Sequence, residues 1–502
     1  MAGAGITVFV QEPIARINPN LYGHFVEHVG GGVYDGIWVG EDSSIANLGG
    51  IRRDVVDAVR ELHPPVIRWP GGCFADDYHW RDGIGPRETR PARVNMWWGR
   101  ADEPNSFGTH EFVHFCRLVG AQPYIAGNLG SGSPQEMRDW VEYCNHDGCS
   151  ALARQRTING SPEPFRVRYW GVGNEPWGCG GTFSPEDYAL AYKRFANYLR
   201  DFGGTPLYLV AAGPGNDQPA WTRRFFIALD GQCRPQGYCR MHGCAVHYYC
   251  GHAGTDVGFS DDQWYELLHR SLMVEPHIVQ QRAVMDEFDP EGSVDMVLDE
   301  YGVWHPPSPG VDPCSLWRQN TQRDALAAAI MLDVLNRQAH RVAMANIAQM
   351  VNVLHAMVFT EGDRMVTTPT YHVFRMYRSH QGGQSVRTVF AADDVTFVLD
   401  GAPHRLPGLL GSASLRDGTL TLSVVNTHID TAVEAGIQVR GAGIREATTT
   451  TLTAPEIRAH NTFDAPDTVV PATTRVDLGG KAGRHTFPPA SVTVLSILLG
   501  RR

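Results

Sequence analysis

Eight short apolar runs between residue 20 and about residue 375 alternate with longer helical patterns. Strands that alternate with helices form parallel sheets, and eight such strands are the number that closes a barrel. The runs read LYGHFVEH, PVIRWPGG, PYIAGNLG, RYWGVGNEP, LYLVAAGP, GCAVHYY, DMVLDEYG and MANIAQMVN. This alternation predicts an α/β fold, a (β/α)8 TIM barrel.

The sequence indicates where two of the intervening helices begin. Ser133 and Ser184 each precede a proline, and an acidic residue follows within the first turn. Serine suits the N-cap, proline the first helical position, and an acid the positive end of the helix dipole. We therefore predict helices over residues 134–145 and 185–202, the second ended by the glycine pair that follows it.

The pattern changes after His380, where short β-type runs separated by Gly, Asp and Pro replace the helical patterns. Such runs are typical of an all-β domain. We predict a catalytic barrel over residues 17–380 and a C-terminal β-sandwich, jelly-roll-like, over residues 381–502. The ITVFV run within residues 1–16 has no barrel partner, and we expect it to pair into the sandwich.

Composition narrows the class of partner. The chain has 502 residues, 43% hydrophobic and 19% charged, with a formal net charge of −11. A surface of that sign repels nucleic acid and anionic membranes. The sequence shows no secretory signal and no 18-residue apolar stretch, so we expect a cytoplasmic protein without a membrane partner. Ten cysteines are an ordinary number for a reduced compartment, and we expect them to be free thiols.

The sequence contains a zinc-peptidase signature, H-x-x-E-H, formed by His24, Glu27 and His28. That signature needs a helix, and the glycines on both sides of this segment disfavour one. On a strand, Glu27 and His28 point to opposite sides and cannot hold one ion. A zinc peptidase therefore stays a remote alternative.

A second group of metal-type residues lies between residues 233 and 252. It consists of Cys233, Cys239, His242, Cys244, His247, Cys250 and His252. The paired C-x-x-C spacing of structural zinc sites is absent, and alternation along a strand sends Cys244 and His247 to opposite faces. We predict neither a metal nor a cofactor.

Two glutamates close predicted strands of the barrel. The fourth run ends in Asn174-Glu175, and the seventh ends in Asp299-Glu300. Barrel active sites lie at the carboxyl ends of the strands, so these acids should face each other across the top. For either acid alone a structural salt bridge is the simpler interpretation. Two facing carboxylates are what glycosidic hydrolysis requires.

Four tryptophans in or beside nearby predicted loops suit sugar rings: Trp97, Trp98, Trp177 and Trp304.

Longer motifs carry a specific resemblance. RWPGGCFADDYHWRDGIGP, YWGVGNEPWGCGG, LDEYGVW, MANIAQMVNVL and TPTYHVFRMY resemble the α-L-arabinofuranosidases of glycoside hydrolase family 51. The resemblance implies a retaining, exo-acting enzyme that trims arabinofuranosyl residues from arabinan and arabinoxylan fragments. It also implies Glu175 as general acid/base and Glu300 as nucleophile, and a homohexamer built as a trimer of dimers.

The resemblance further implies a set of sugar-binding residues. They are Glu27, Arg68, Cys73, Trp98, Asn174, Tyr249, Trp304 and Gln349. We expect Arg68 to orient Glu300 or hold it ionised, with a surface ion pair as the alternative. The sequence departs from the common pattern at Cys73, at Tyr301 and over residues 231–243. Tyr301 follows Glu300 directly, and we expect it to reshape the leaving-group subsite.

Three functional alternatives stay open at this point. The first is a hydrolase of another glycoside within the same family, such as a β-D-galactofuranoside, a β-xyloside or a β-glucan. The second is the zinc peptidase. The third is a sugar-binding protein on an inactive barrel, which the presence of both acids disfavours.

Overall fold

The computed structural model describes residues 3–216, 218–479 and 482–500. Eight parallel strands close a barrel in chain order. They are β1 (Gly23–Phe25), β2 (Val66–Trp69), β3 (Gln122–Gly127), β4 (Tyr169–Val172), β5 (Tyr208–Ala211), β6 (Gly243–Gly251), β7 (Asp295–Trp304) and β8 (Val342–Ala348). Each of the eight apolar runs of the sequence contributes one of these strands, so the predicted barrel is confirmed.

Helices cover the outside of the barrel. The described residues form α1 (Arg53–Leu62), α2 (Thr109–Val119), α3 (Pro134–Asn145), α4 (Ala151–Ile158), α5 (Pro185–Ala196), α6 (Pro219–Leu229), α7 (Asp261–Leu272), α8 (Val274–Phe288), α9 (Gln322–Arg337) and α10 (Pro369–Tyr377). The Ser133 and Ser184 side chains accept hydrogen bonds from the backbone at the starts of α3 and α5. Both predicted starts and the predicted end of α3 are confirmed.

The predicted end of α5 is wrong, because the helix stops at Ala196 and not at residue 202. The amides of Tyr198 and Leu199 bond carbonyls three residues back, which tightens the last turn. Leu199 is fully buried there, and the Asp201 side chain accepts from the Leu207 amide. Tertiary contacts thus end the helix before the glycine pair is reached.

Inside the barrel, alternate strand residues form a closed apolar plug. Its buried members are Val66, Tyr124, Tyr169, Val210, Ala245, Val297 and Met344. Residues of the opposite parity pack outward against the helices, as the period of two along a strand requires. The plug fills the lower barrel, so polar side chains further along the strands lie together at the carboxyl ends.

The C-terminal region forms a nine-stranded sheet of the described residues. Its strands after the barrel are β9 (Gln384–Ala391), β10 (Leu409–Arg416), β11 (Thr419–Asn426), β12 (Val433–Arg440), β13 (Gly443–Leu452), β14 (Ala472–Val476), β15 (Ala482–Phe487) and β16 (Ser491–Gly500). The order across the sheet is β14, β13, β16, β11, β10, β9, the N-terminal strand Ala4–Arg16, β12 and β15. The N-terminal strand lies antiparallel to β9 and parallel to β12.

One apolar core joins distant strands of this sheet, with Ile6, Leu422, Ile437 and Leu495 all buried in it. The sheet therefore folds over its own core, which is how one continuous sheet makes a sandwich. The predicted fold class, a barrel with a C-terminal all-β domain, is confirmed. Residues 1–2 and 501–502 of the predicted domains lie outside the described residues.

The loops of the described chain contain five short two-stranded elements. They are Asn47–Leu48 with Ile51–Arg52, Arg93–Val94 with Asp102–Glu103, Cys233–Arg234 with Cys239–Arg240, Val358–Glu361 with Arg364–Thr367, and Asp394–Leu399 with Ala402–Pro407. Among the described residues, no helix is both long and apolar enough to cross a membrane.

Helix α9 joins the two domains, and residues 322–336 of it are buried throughout. Its Asp333 carboxylate accepts hydrogen bonds from the hydroxyls of Ser412 and Ser423 in the sandwich and of Tyr377 in α10. Burial raises the pKa of Asp333 to about 6, because hydroxyl partners only partly replace water.

Candidate active site

The two predicted catalytic glutamates meet at the top of the barrel. Glu175 follows β4, and Glu300 lies within β7. One carboxylate oxygen of Glu175, one of Glu300 and one ring nitrogen of His247 lie within 4.8 Å of one another. The Glu300 side chain is 6% exposed and that of Glu175 is 18% exposed. The prediction that strands four and seven bring these acids together is thus met by the geometry.

Glu300 is surrounded by donors. Its Oε1 accepts from Arg68 Nη1 at 2.7 Å, and its Oε2 accepts from the Tyr249 hydroxyl at 2.8 Å. Burial alone would raise the pKa of Glu300, but the positive charges of His247 and Arg68 and the hydrogen bonds from Arg68 and Tyr249 outweigh it. The net result is a lowered pKa, which keeps this buried carboxyl ionised.

Arg68 ties the two catalytic strands together from β2. Its Nη2 donates to Asn174 Oδ1 at 2.6 Å, and its Nε lies 3.3 Å from Asp299 Oδ2. The side chain is fully buried, so the alternative of a surface ion pair is wrong. One planar guanidinium thereby fixes the nucleophile candidate and the residue before Glu175 in one frame.

His247 is a site residue that the sequence prediction considered only as a metal ligand. Its Nδ1 lies 2.9 Å from Glu175 Oε1 and 3.7 Å from Glu300 Oε2. Burial lowers the pKa of His247, but the two carboxylates outweigh it and the pKa is raised. Strand parity held the missing signal, because His247 shares a face of β6 with Tyr249, two residues further on.

Glu27 forms the opposite wall of the pocket. Its Oε1 accepts from the Phe74 amide and from Trp98 Nε1, and its Oε2 accepts from Gln349 Nε2. Burial and the nearby charge of Glu300 raise the pKa of Glu27 to about 7. The predicted group of Glu27, Trp98 and Gln349 therefore lies together.

The three residues of the peptidase signature do not converge. Strand β1 ends at Phe25, and the chain over residues 26–28 is not helical. The His28 ring bonds Glu103 and Trp69 instead, while His24 is buried against Phe374. Glu27 faces the pocket alone, which removes the geometric basis of the peptidase alternative.

Asp76 is a second functional residue that the sequence prediction missed. Its carboxylate accepts from the backbone amides of Leu129, Gly130 and Asn174 at 2.7–2.8 Å. Burial raises the pKa of Asp76 to about 7, although these three amides act in the opposite direction. It braces the loops after β3 and β4, and no local pattern identifies a residue that acts across three loops.

The expectation that the cysteines are free is wrong for four of them. Cys73 is bonded to Cys179, and Cys233 to Cys239. The first bond lies beside Glu175, so Cys73 enters the site as a disulfide partner and not as a free thiol. The second closes the segment before β6, at the end of the barrel opposite the carboxylates. The unusual stretch over residues 231–243 therefore lies away from the pocket.

Tyr301 also differs from its expected role. The side chain is fully buried in the core between the strands and the helices. Adjacent strand residues point to opposite faces, so Glu300 pointing inward sends Tyr301 outward. Its predicted effect on the leaving-group subsite is wrong.

A cleft of about 410 Å³ opens beside Glu175. Trp177, Tyr249 and Trp304 line it, with the Tyr249 and Trp304 rings in edge contact. A second cleft of about 290 Å³, on the Cys179 side, is lined by Trp97, which is 44% exposed. Both clefts present aromatic side chains close to Glu175.

Glu175, His247 and Glu300 have spacing that suits metal ligands. Arg68 already brings a buried positive charge to Glu300, however, and a dication there would be repelled by it. The electrostatics of the trio therefore favour acid/base and nucleophilic chemistry.

Comparison with known proteins agrees with this arrangement. The family model of the α-L-arabinofuranosidase 1 domain matches residues 58–232, and that of the α-L-arabinofuranosidase C-terminal domain matches residues 299–491. An intracellular exo-α-L-arabinofuranosidase of Bacteroides ovatus is 39% identical over 98% of this chain and 95% of its own. The chain belongs to the α-L-arabinofuranosidases of glycoside hydrolase family 51.

Solved structures of family 51 enzymes superpose over nearly the whole molecule. The arabinofuranosidase of Xanthomonas axonopodis pv. citri gives a TM-score of 0.93 at 39% identity, covering 98% of this chain and 100% of that one. The arabinose complex of the Thermotoga maritima enzyme gives 0.86 at 32% identity, covering 98% and 99%. The predicted family and enzyme class are confirmed.

Proposed function

We propose that this family 51 enzyme is a retaining, exo-acting α-L-arabinofuranosidase that releases terminal arabinofuranosyl residues from arabinan and arabinoxylan fragments of hemicellulose. The observation that carries the mechanism is the approach of the Glu175 and Glu300 carboxylates to within 4.8 Å. Retaining enzymes hold their carboxyls about 5 Å apart, whereas inverting enzymes need about 6.5–9.5 Å for an intervening water.

In the first step, Glu300 attacks the anomeric carbon while Glu175 delivers a proton to the leaving oxygen. Arg68 and His247 keep Glu300 ionised for that attack. The Tyr249 hydroxyl, which bonds Glu300 Oε2, orients the attacking carboxylate. The products are a covalent arabinosyl ester on Glu300 and a free alcohol.

In the second step, formation of the ester has removed the charge of Glu300. His247, now facing one carboxylate in place of two, pairs with Glu175 alone. Glu175 then takes a proton from water while the water oxygen attacks the anomeric carbon from the face that the leaving group left. The bond between that carbon and the Glu300 oxygen breaks, which releases arabinose and restores the Glu300 carboxylate. Two inversions give net retention.

The depth of the pocket supports exo action. Glu27 and Gln349 are each 2% exposed and, with Trp98, close the wall opposite the open clefts. We assign the hydroxyls of a terminal furanose to this wall. Asn174 Oδ1 is held by Arg68, and Asn174 Nδ2 lies 3.9 Å from Cys179 Sγ. We assign the remaining N–H of this amide to the 2-hydroxyl, a contact that strengthens in the transition state.

Azide rescue of Glu175→Ala tests the mechanism. We expect hydrolysis of unactivated substrates to fall by about 10²–10⁴-fold, the usual range for loss of an acid/base. Azide should restore turnover of an activated aryl arabinoside and give arabinosyl azide of retained α configuration. Azide product of inverted configuration, or unimpaired hydrolysis, would refute the assignment.

Substrate identity is tested by comparing four glycosides. The 4-nitrophenyl α-L-arabinofuranoside should be hydrolysed faster than the β-D-galactofuranoside, the β-xyloside and a β-glucan. An equal or higher rate on any of the latter would overturn the preferred substrate class but not the two-step mechanism.

Location and assembly belong to the same proposal. The Bacteroides ovatus relative is described as intracellular, and we propose that this enzyme likewise works in the cytoplasm, as a hexamer built as a trimer of dimers. Light scattering on the purified enzyme tests the hexamer, and a monomeric mass would overturn it. The two disulfides act against a reduced location. Thiol trapping at cell lysis, followed by counting the blocked cysteines, tests whether the two cysteine pairs are oxidised or reduced in the cell.

A further inference from the structure

The two oxygens of Glu175 have unlike surroundings. Oε1 faces the His247 ring at 2.9 Å. Oε2 lies 3.7 Å from Cys179 Sγ, which is bonded to Cys73. A disulfide sulfur carries no proton, so this approach is a contact and not a hydrogen bond. Within the described part of the chain, Glu175 Oε2 therefore accepts no hydrogen bond from the protein.

Glu175 is carried by a loop and not by a strand. Strand β4 ends at Val172, and α5 begins only at Pro185. Glu175 itself has a positive φ of 34°, and its carbonyl accepts from the amides of Gly178 and Gly180. This turn shapes the loop, and the Asn174 amide ties the loop to Asp76 just before Glu175. The residues after Glu175 are joined covalently to the sugar pocket through Cys179.

The other end of the disulfide belongs to a fixed part of the pocket. Cys73 begins a short 3-10 helix over Cys73–Asp77 that also carries Phe74 and Asp76. The Phe74 amide bonds Glu27, and the Asp76 carboxylate bonds three backbone amides. Cys73 is thus anchored to the sugar-binding wall, while Cys179 lies in the loop that carries the acid/base.

We propose that the Cys73–Cys179 disulfide is a positioning element of the reaction, which fixes the Glu175 loop against the sugar pocket and keeps Oε2 free of a protein hydrogen-bond donor. Rapid hydrolysis of substrates with poor leaving groups then depends on the oxidised state of this pair. The proposal rests on the acid/base role given to Glu175 above.

The chemistry of opening the bond is simple. A small dithiol donates two electrons and two protons, the S–S bond breaks into two thiols, and the dithiol becomes a cyclic disulfide. The loop then loses its covalent attachment. In addition, the Cys179 thiol gains a proton that it donates to Oε2, which favours the ionised form of a group that must be protonated to act as an acid.

Leaving-group dependence gives the sharpest test. Dinitrophenol departs without acid assistance, whereas a sugar alcohol does not. We compare kcat/KM on dinitrophenyl arabinofuranoside and on an arabino-oligosaccharide for Cys73→Ala and for Cys73→Ala/Cys179→Ala. The oligosaccharide rate should fall by about 10–100-fold, the scale of a small misplacement of a catalytic group, with the dinitrophenyl rate changed by less than about threefold.

The second disulfide supplies a matched control. Cys233→Ala/Cys239→Ala removes an equivalent bond at the opposite end of the barrel, and both rates should stay at the wild-type level. Dithiothreitol should lower the oligosaccharide rate of the wild type and of this control reversibly, and leave Cys73→Ala unchanged. Three results would each overturn the proposal: a Cys73-variant loss that is equal for both substrates, a loss of similar size in the untreated Cys233→Ala/Cys239→Ala control, or no loss in the Cys73 variants.

The pH profile separates the two parts of the effect. Cys73→Ala retains the Cys179 thiol, so the alkaline limb of its kcat/KM profile should lie at lower pH than in the double variant. Coincident alkaline limbs would overturn the donor part. Failure of the underlying acid/base assignment is distinguishable, because Glu175→Ala would then show no dependence on the leaving group.

Discussion

The Glu300 carboxylate at the top of the barrel and the Asp333 carboxylate between barrel and sandwich are similarly buried, but their partners differ in charge. Glu300 is 4% exposed and receives a guanidinium, a hydroxyl and the charge of His247. Asp333 is fully buried and receives three neutral hydroxyls. The first has a lowered pKa and the second a raised one. The charge of the partners, and not the depth of burial, decides which carboxylate is ready to act as a nucleophile.

The largest effect on kcat is expected at Glu300. Glu300→Ala removes the nucleophile, and we expect kcat on all substrates to fall by on the order of 10⁵-fold. The rate on activated aryl arabinosides should not be restored, because a better leaving group replaces the acid but not the nucleophile. Steady-state kinetics with thermal unfolding as a folding control measure this. Residual activity above about 1% of wild type would contradict the nucleophile assignment.

Arg68 is the charged partner that Asp333 lacks. Arg68→Lys keeps the charge but cannot contact Glu300, Asn174 and Asp299 together, so we expect kcat/KM to fall by about 10²–10³-fold, as for loss of a positioned donor. Stability should also drop, by about 3 kcal/mol, because buried partners are left unpaired. Denaturant unfolding and kinetics measure the two effects. Wild-type kinetics with lowered stability would make Arg68 a purely structural residue.

His247 supplies the other positive charge. His247→Gln removes it, and since that charge is the largest influence lowering the pKa of Glu300, the pKa should rise. The acidic limb of the kcat/KM profile should move to higher pH, with about a tenfold loss for each unit moved at pH values below the limb. His340→Gln, at an exposed histidine, serves as the control. An unmoved acidic limb would contradict this electrostatic role.

The smallest effect on activity is expected at Asp333. The pKa of Asp333 is about 6 in the folded state, which is above its value in the unfolded chain. At pH values between these two pKa values, the folded state therefore binds more protons than the unfolded state. This stabilisation is complete below about pH 4 and is lost as the pH rises from there through about 6, by about 3 kcal/mol. Asp333→Asn should flatten that slope and leave kcat/KM within about twofold of wild type. Denaturant unfolding at several pH values checks it, and an unchanged slope would contradict it.

The sequence predicts the scaffold well because its signal is local. Each barrel strand is a short apolar run, and the capping residues Ser133 and Ser184 lie next to the helices they start. Glu175 and Glu300 are found by the same logic, since barrel geometry sends strand ends to one face. The predicted length of α5 fails where burial of Leu199 overrides the glycine signal.

The remaining site residues depend on contacts between distant segments. Asp76 braces amides of two later loops, His247 bridges carboxylates from two other strands, and Cys73 meets Cys179 across 106 positions. No periodicity or spacing records such pairings, because they form only when the barrel closes.

The alternation of eight strands with helices was sufficient to determine the barrel and to point to the two carboxylates, and the change of pattern after His380 was sufficient to determine the β domain. Both signals act through neighbours in the chain. Only the tertiary structure decided which charge each buried carboxylate meets, and that His28 belongs to Glu103 and Glu27 to the pocket. Electrostatic and covalent partners are chosen by distance in space, and distance in space is set by the closed fold.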